Sequence, residues 1–226
     1  MLEGEATFKS EPIPYIPPLR FRSLTPFFDT LLKWAANEGN FKPRLIEKAG
    51  IQKNFRVLDL GCGTATLTIL VKKSHPDAEV TGIDIDPAVL EIAKEKTAKA
   101  GLDISFDLGS TNKLPYPDNY FTRVVSSMVF HHLSRENKIR TMKEVLRVLK
   151  PSGELHVADL GKPHNALMRL PSLVMTHLEE VGDNVQGLLP RMLRIAGFRE
   201  VAETDKVMTL FGTVALYRGR KIKEEA

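Results

Sequence analysis

From residue 55 onward the chain alternates short apolar runs with amphipathic stretches. Phe55–Leu60 (FRVLDL) is a brief apolar run that stops at Gly61, the pattern of a buried strand. Ala78–Asp84, Ile104–Leu108, Tyr120–Met128 and Ser152–Leu160 read the same way. Between them, Thr64–Ser74, Pro87–Ala100 and Ser134–Leu149 predict helices, with Pro87 at a start and Gly101 just past an end. Strands that alternate with helices are joined by right-handed crossovers and build a mostly parallel sheet. The end of the chain departs from that rhythm. Phe198–Thr204 and Val207–Arg218 are strands with only a brief turn between them, which demands a hairpin and antiparallel pairing. The expected fold is α/β: a seven-stranded, mostly parallel sheet with an antiparallel C-terminal hairpin strand.

Before residue 55 the pattern is different. Pro12, Pro14, Pro17 and Pro18 crowd the first twenty residues and favour an extended arm. Thr25, Pro26 and Asp29 then fit the cap and first turn of a helix, with Phe27, Phe28, Leu31, Leu32 and Ala35 at helical spacing. A second short helix is expected around Pro43–Ala49, stopped by Gly50. Residues 1–50 thus read as an N-terminal arm with cap helices, and 51–226 as the main domain. Residues 161–196 form an insert with two expected helices, Asn165–Glu180 and Gln186–Ala196, the first broken by Pro171. That exceeds one crossover helix, so part of it is expected to face a ligand.

Composition narrows the classes of function. Of 226 residues, 42% are hydrophobic and 27% charged, an ordinary globular balance. No apolar run approaches the roughly 18–20 residues of a membrane span. The acids Glu3, Glu5 and Glu11 and the missing apolar core argue against a signal peptide. Cys62 is the only cysteine, so there is no intramolecular disulfide and no multi-cysteine zinc site. A cytoplasmic location is the simplest expectation. Net charge is 32 − 28 = +4. The basic residues are mixed with acids, as in Glu91–Lys96, so no nucleic-acid partner is expected.

The informative stretch is Val57–Leu67, where a strand runs into Gly61-Cys62-Gly63 and then a helix. Glycines let the backbone take positive φ and approach a ligand closely, and the helix presents unpaired N–H groups. A dinucleotide fingerprint would need glycine at Thr66, and a Walker A loop would need GK[ST], which is absent. Asp84 ends the second strand, where a carboxylate can accept two hydrogen bonds from a ribose diol or cap the next helix. Asp86, directly before Pro87, is the better cap.

With VLDLGCGTAT (57–66), VTGIDIDPAVLEIAK (80–94), LPYPDNYFTRVVSSMVFHHL (114–133), EVLRVLKPSGELHVADL (144–160) and AGFRE (196–200), the sequence resembles the class I S-adenosylmethionine-dependent methyltransferases. Within them it is most similar to the ubiquinone/menaquinone biosynthesis methyltransferase-like group. The resemblance covers about residues 55–218 and implies a Rossmann-like fold. It implies that Asp59, Gly61 and Gly63 line the methionine end of S-adenosylmethionine, that Asp84 holds the ribose, and that Ile85 lies against the adenine. Ser110 and Thr111 would meet the adenine edge, and Ser126 and Ser127 would lie under the sulfonium. Three positions depart from the family pattern. Ala65 replaces a glycine and narrows the approach, Ser110 replaces an acid, and Thr122 replaces an aspartate. They motivate the alternative of a methyltransferase fold kept as a non-catalytic binding or regulatory partner.

Methyl transfer from a sulfonium mainly needs proximity and alignment, with a base only where the acceptor must lose a proton. His131 and His132 follow the fourth strand and have the pKa range of a base. Adjacent side chains diverge, so the pair is not expected to hold one metal, and no metal site is expected. On the acceptor side stand Tyr15 and Arg20 in the arm, Asp159 at the end of the fifth strand, and His164 in the insert, with His177 as a weaker candidate. Met168, Leu170, Leu173, Val174 and Met175 form an apolar stripe, either core or an adaptable pocket. The fourth strand carries Ser126-Ser127-Met128-Val129 where methylases of base nitrogens usually carry Asn/Asp-Pro-Pro-aromatic. The expected reaction is transfer to carbon or oxygen of a small, fairly apolar, quinone-like molecule. Oligomeric state is open.

Overall fold

A computed structural model describes residues 38–164, 181–210 and 212–223. Its elements are α1 (Glu38–Ala49), β1 (Arg56–Leu60), α2 (Thr66–Ser74), β2 (Glu79–Asp84), α3 (Pro87–Lys99), β3 (Ser105–Leu108) and β4 (Phe121–Ser127). After a single 3-10 turn at Phe130–His132 come α4 (Arg135–Val148), β5 (Leu149–Leu160), α5 (Gly182–Val185), α6 (Leu189–Ala196), β6 (Arg199–Thr209) and β7 (Gly212–Arg220). They form one seven-stranded sheet in the order β3-β2-β1-β4-β5-β7-β6. Pairs β1–β2, β1–β4, β2–β3 and β4–β5 are parallel, while β7 runs antiparallel to both β5 and β6. The strand order reverses between β1 and β4, and ligands in open α/β sheets bind at the carboxyl ends beside such a reversal.

Side chains alternate across the sheet, so each strand feeds two cores. Leu155 and Val157 of β5, with Ala215 and Tyr217 of β7, pack beneath α4 and α6. Ala158 and Leu160, with Val214 and Leu216, pack against α1 and α2. Helix α1 lays Phe41, Leu45, Ile46 and Ala49 into this second core. The boundary expected at residue 50 therefore falls inside a shared core. The helix also begins five residues before Pro43, which sits inside it. Four side chains of this helix, Phe41, Leu45, Ile46 and Ala49, are buried together, which offsets the backbone bond that proline forfeits.

The segment 114–120 is fixed by charge. Arg147 on α4 donates to the carbonyls of Leu114 and Tyr116 and pairs with Asp118 and Glu144. Glu144 in turn accepts from Leu114 N at 2.9 Å. Two sequence expectations shift. Strand β5 starts at Leu149, with a register break between its pairings to Phe121 and Arg123, so it begins earlier than Ser152. The hairpin turn lies after Thr209, which pairs with Gly212, and not at Asp205–Lys206. The polar Thr204–Lys206 step that resembles a turn is a register shift within a continuous strand pair, between Glu203 and Asp205. Tyr15, Arg20, the helix expected after Thr25, the expected helix Asn165–Glu180, the Met168–Met175 stripe and His177 lie outside the described residues.

Phe41 is fully buried, so Phe41→Ala is expected to lower the unfolding free energy by about 3–5 kcal/mol in a denaturant titration. A loss below about 1 kcal/mol would show that α1 is appended to the sheet and not integral to it.

Candidate active site

The turn after β1 is anchored to β2 by two backbone bonds, Gly61 N and Cys62 N to Ile83 O, at 2.9 and 3.0 Å. Gly61 takes φ 69°, and a Cβ there would stand 2.5 Å from Val129 Cγ2, so only glycine fits. Gly63 takes φ 52° and faces open space, with no atom within 4 Å of a Cβ position. Ala65 is also left-handed, at φ 62°. Its methyl is fully buried, so it does not narrow the exposed side of the loop as expected; its cost is backbone strain. Cys62 is buried between these glycines. Burial, followed by the charges of Asp59 and Asp84, pushes its thiol well above the usual range.

Asp84 closes the other side. Its Oδ2 accepts from Gly63 N at 2.8 Å and its Oδ1 from Asp86 N at 3.1 Å. The carboxylate is half-buried and each oxygen has a further lone pair to offer. Asp86 is the helix cap, accepting from Ala88 N at 2.8 Å. Ile85 and Leu108 stand exposed at the ends of β2 and β3, flanking the same edge. Ser110 donates to Asn112 Oδ1 at 2.9 Å, which leaves its oxygen to accept, and Thr111 Oγ1 lies 3.2 Å from Thr141 Oγ1.

Two of the residues expected at the cofactor, Asp59 and Ser126, have buried side chains bonded within the protein. Asp59 is buried and accepts from Thr68 Oγ1 at 2.6 Å. Burial raises its carboxyl from 3.8 to about 6, with Asp84 adding to the rise and Thr68 and Lys42 opposing it. Ser126 is buried and donates to Leu60 O at 3.0 Å, holding β4 to the end of β1. Asp59 thus ties the end of β1 to α2, Ser126 ties it to β4, and Ser127 is partly exposed.

At the end of β5 lies Asp159, wholly buried. It was expected to face the acceptor; it is instead the centre of a polar cluster. Oδ2 accepts from Val129 N and Phe130 N at 3.1 and 2.7 Å. Oδ1 accepts from Leu160 N and Asn184 Nδ2 at 2.8 and 3.0 Å and pairs with His131 Nδ1 at 2.9 Å. Burial works to raise this carboxyl, but His131 and the backbone donors outweigh it and hold it below the usual carboxylate range. His131 is buried and His132 exposed. Their rings do not diverge: the tight turn leans them together, centroids 3.9 Å apart. His164 is exposed beside the same edge, its Nδ1 2.8 Å from Thr213 Oγ1. Among the described residues no group of three or more His, Cys, Asp or Glu side chains is placed to hold a metal ion.

Sequence reasoning missed Thr68 and Asn184. Neither belongs to a recognisable motif, and each is identified only by the carboxylate it faces.

The open glycine turn, the carboxylate of Asp84 and the exposed apolar pair at one carboxyl edge fit an adenosyl group joined to an amino acid. Gly61 and Gly63 would meet the amino-acid end, Asp84 the ribose, Ile85 and Leu108 the adenine faces. Fold and site together define a class I S-adenosylmethionine-dependent methyltransferase. A methyltransferase domain model matches residues 57–153. The chain is 30% identical over 206 residues to the demethylmenaquinone methyltransferase of Symbiobacterium thermophilum, covering 76% of this chain and 80% of that one. It is 28% identical over 200 residues to a ubiquinone/menaquinone biosynthesis C-methyltransferase, UbiE, of Photorhabdus laumondii, covering 78% of each. Among solved structures, a [4+2]-cyclase, SpnF, superposes with a TM-score of 0.66 at 22% identity, covering 80% of each chain. A phosphoethanolamine N-methyltransferase of Haemonchus contortus with bound S-adenosyl-L-methionine superposes with a TM-score of 0.67 at 15% identity, over 81% of this chain and 53% of that one. The chain belongs to the class I S-adenosylmethionine-dependent methyltransferases, in the group of the ubiquinone/menaquinone biosynthesis methyltransferases. Nothing in these comparisons favours the non-catalytic alternative raised by Ala65, Ser110 and Thr122.

Two outcomes are expected here. Asp84→Ala should weaken S-adenosylhomocysteine at least about tenfold by calorimetric titration, the value of a charged hydrogen bond; undiminished binding would remove Asp84 from the site. Asp59 should make folding pH-dependent. Its folded pKa lies above the unfolded one, so the folded state holds the proton more tightly. The contribution of this one group to stability is then greatest below about pH 4 and is lost as pH rises through 6. Asp59→Asn should flatten that slope and gain on the order of 3 kcal/mol at pH 7.

Proposed function

We propose that this enzyme methylates a ring carbon of a quinone-type acceptor in its reduced, hydroxylated form, with His131 as the base. The observation that carries the reading is the buried His131–Asp159 pair beside the glycine turn. The names of the relatives, a demethylmenaquinone methyltransferase and a ubiquinone/menaquinone biosynthesis C-methyltransferase, support the acceptor class and the choice of carbon.

S-adenosylmethionine, when bound, supplies an electrophilic methyl on a positively charged sulfur. A hydroquinone ring carbon is a poor nucleophile until a neighbouring hydroxyl loses its proton. Asp159 accepts from His131 Nδ1–H, which puts the acceptor lone pair on Nε2. Nε2 takes the hydroxyl proton, and the oxygen's electron pair moves into the ring. The ring carbon bonds to the methyl as the carbon–sulfur bond breaks. That carbon then gives up its own proton to water while the imidazolium returns the first proton to the ring oxygen, which restores the hydroxylated aromatic ring and the neutral histidine. The imidazolium that forms in between faces an ionised carboxylate, which stabilises it. His132, exposed and leaning on His131, is proposed to face the acceptor.

Residues 1–37 and the insert at 161–196 are proposed to cover the acceptor, bringing Tyr15, Arg20 and His164 to it. Among the described residues no helix is long and apolar enough to cross a membrane. An acceptor with an apolar tail would be met at a membrane surface or delivered from it.

Purified protein, S-adenosylmethionine carrying a labelled methyl, and a demethylated naphthohydroquinone form the direct test. Labelled C-methyl product is expected. His131→Gln should lower kcat by about 10²- to 10⁴-fold while S-adenosylhomocysteine affinity is unchanged. Transfer to oxygen only, or full activity without His131, would overturn the corresponding half of the proposal.

A further inference from the structure

We propose that Asn184 is a positioning residue for His131, acting through Asp159: its amide fixes the carboxylate that orients the imidazole. The proposal rests on the proton-transfer role of His131 given above.

Asn184 comes from α5, the first described element after residue 180. It is fully buried. Its Nδ2 donates to Asp159 Oδ1 at 3.0 Å, the same oxygen that lies 2.9 Å from His131 Nδ1. Its own Oδ1 is buried without a hydrogen-bond partner. An unpaired buried acceptor is destabilising, and an apolar side chain of similar size would fill the space without it. The amide is therefore placed for its N–H, and that N–H serves Asp159. The other four donors to Asp159 are three backbone N–H groups, which any residue would supply, and the histidine itself. Asn184 is thus the one side chain besides His131 that hydrogen-bonds this carboxylate in the described structure.

The consequence is electrostatic as well as geometric. A donor on Oδ1 stabilises the carboxylate and draws its charge away from the imidazole. Without that donor, Asp159 attracts the protonated form of His131 more strongly, and the histidine becomes more basic. Several other groups surround the dyad. His132 lies on the same turn. Asp183 of α5 pairs with Arg135 and Lys138 of α4. Tyr217 of β7 has a buried, unpartnered hydroxyl within electrostatic reach of Asp159. Of these, Asp183 provides the discriminating control. It neighbours Asn184 on the same short helix, but its loss removes a negative charge, which would make His131 less basic.

The test is an imidazole NMR titration of the full-length protein labelled with ¹⁵N at histidine, the His131 signal being assigned by its disappearance in His131→Gln. Asn184→Leu should raise the His131 midpoint by about half a pH unit, a threefold shift in its protonation equilibrium. Asn184→Ala reads the same way should leucine not be accommodated. Asp183→Asn should leave the midpoint unchanged or lower it. An unchanged or lowered midpoint in the Asn184 variants would overturn the proposal. So would a matching upward shift in Asp183→Asn, which would mark a general loosening of α5. In the methyl-transfer assay the acid limb of the pH profile should move with the midpoint. Full activity of His131→Gln would instead sink the proton-transfer reading, whatever the titration shows, so the two failures are separable.

Discussion

A carboxylate with no contact to water has to be surrounded by donors, and at Asp159 that requirement organises one half of the active site. Three backbone N–H groups, an amide and an imidazole converge on its two oxygens. The donors come from the turn after β4, from β5 itself and from α5. Moving any of these elements would strand an ion in the interior, which is costly enough that they hold together as a unit. The 3-10 turn carrying both histidines is in this sense built around the charge. Its first N–H groups are satisfied by Asp159 and not by a residue of the turn.

The other half has a different logic. Around Asp84 the backbone is shaped by glycine and the carboxylate stays half-exposed, so it can both brace Gly63 and receive a ligand. The two acids thus divide the labour. One is partly solvated and available, the other is desolvated and fully committed. Asp59 lies behind the glycine turn, buried like Asp159 but poorly supplied with donors. Its carboxyl is raised where that of Asp159 is lowered: both are buried, but Asp159 has the His131 charge and several donors against it.

What could be read from the sequence follows from distance along the chain. The strand–glycine–helix turn and the Asp86 cap are local backbone devices, and Gly61, Gly63 and Asp86 behave as their spacing implies. Strand and helix positions were legible for the same reason, because periodicity is local. Asp159 was legible as a polar residue at a ligand edge but not as a hub. Its partners His131 and Asn184 lie 28 and 25 residues away, and only the folded sheet brings them together. The burial of Ser126 and Asp59 is not legible in the same way, because a motif marks which residue is required, not whether its side chain faces a ligand or the chain itself. The hairpin turn was misplaced because three polar residues at a register shift have the same composition as a turn.

Cys62 sits in the glycine turn of an enzyme whose cosubstrate is an alkylating agent. A thiolate beside a bound sulfonium would be open to methylation. Burial and the nearby charges of Asp59 and Asp84 keep the sulfur protonated, and the thiol, unlike the thiolate, is a feeble nucleophile. Burial in the first place, and the same carboxylates in the second, therefore hold this sulfur in its less reactive form.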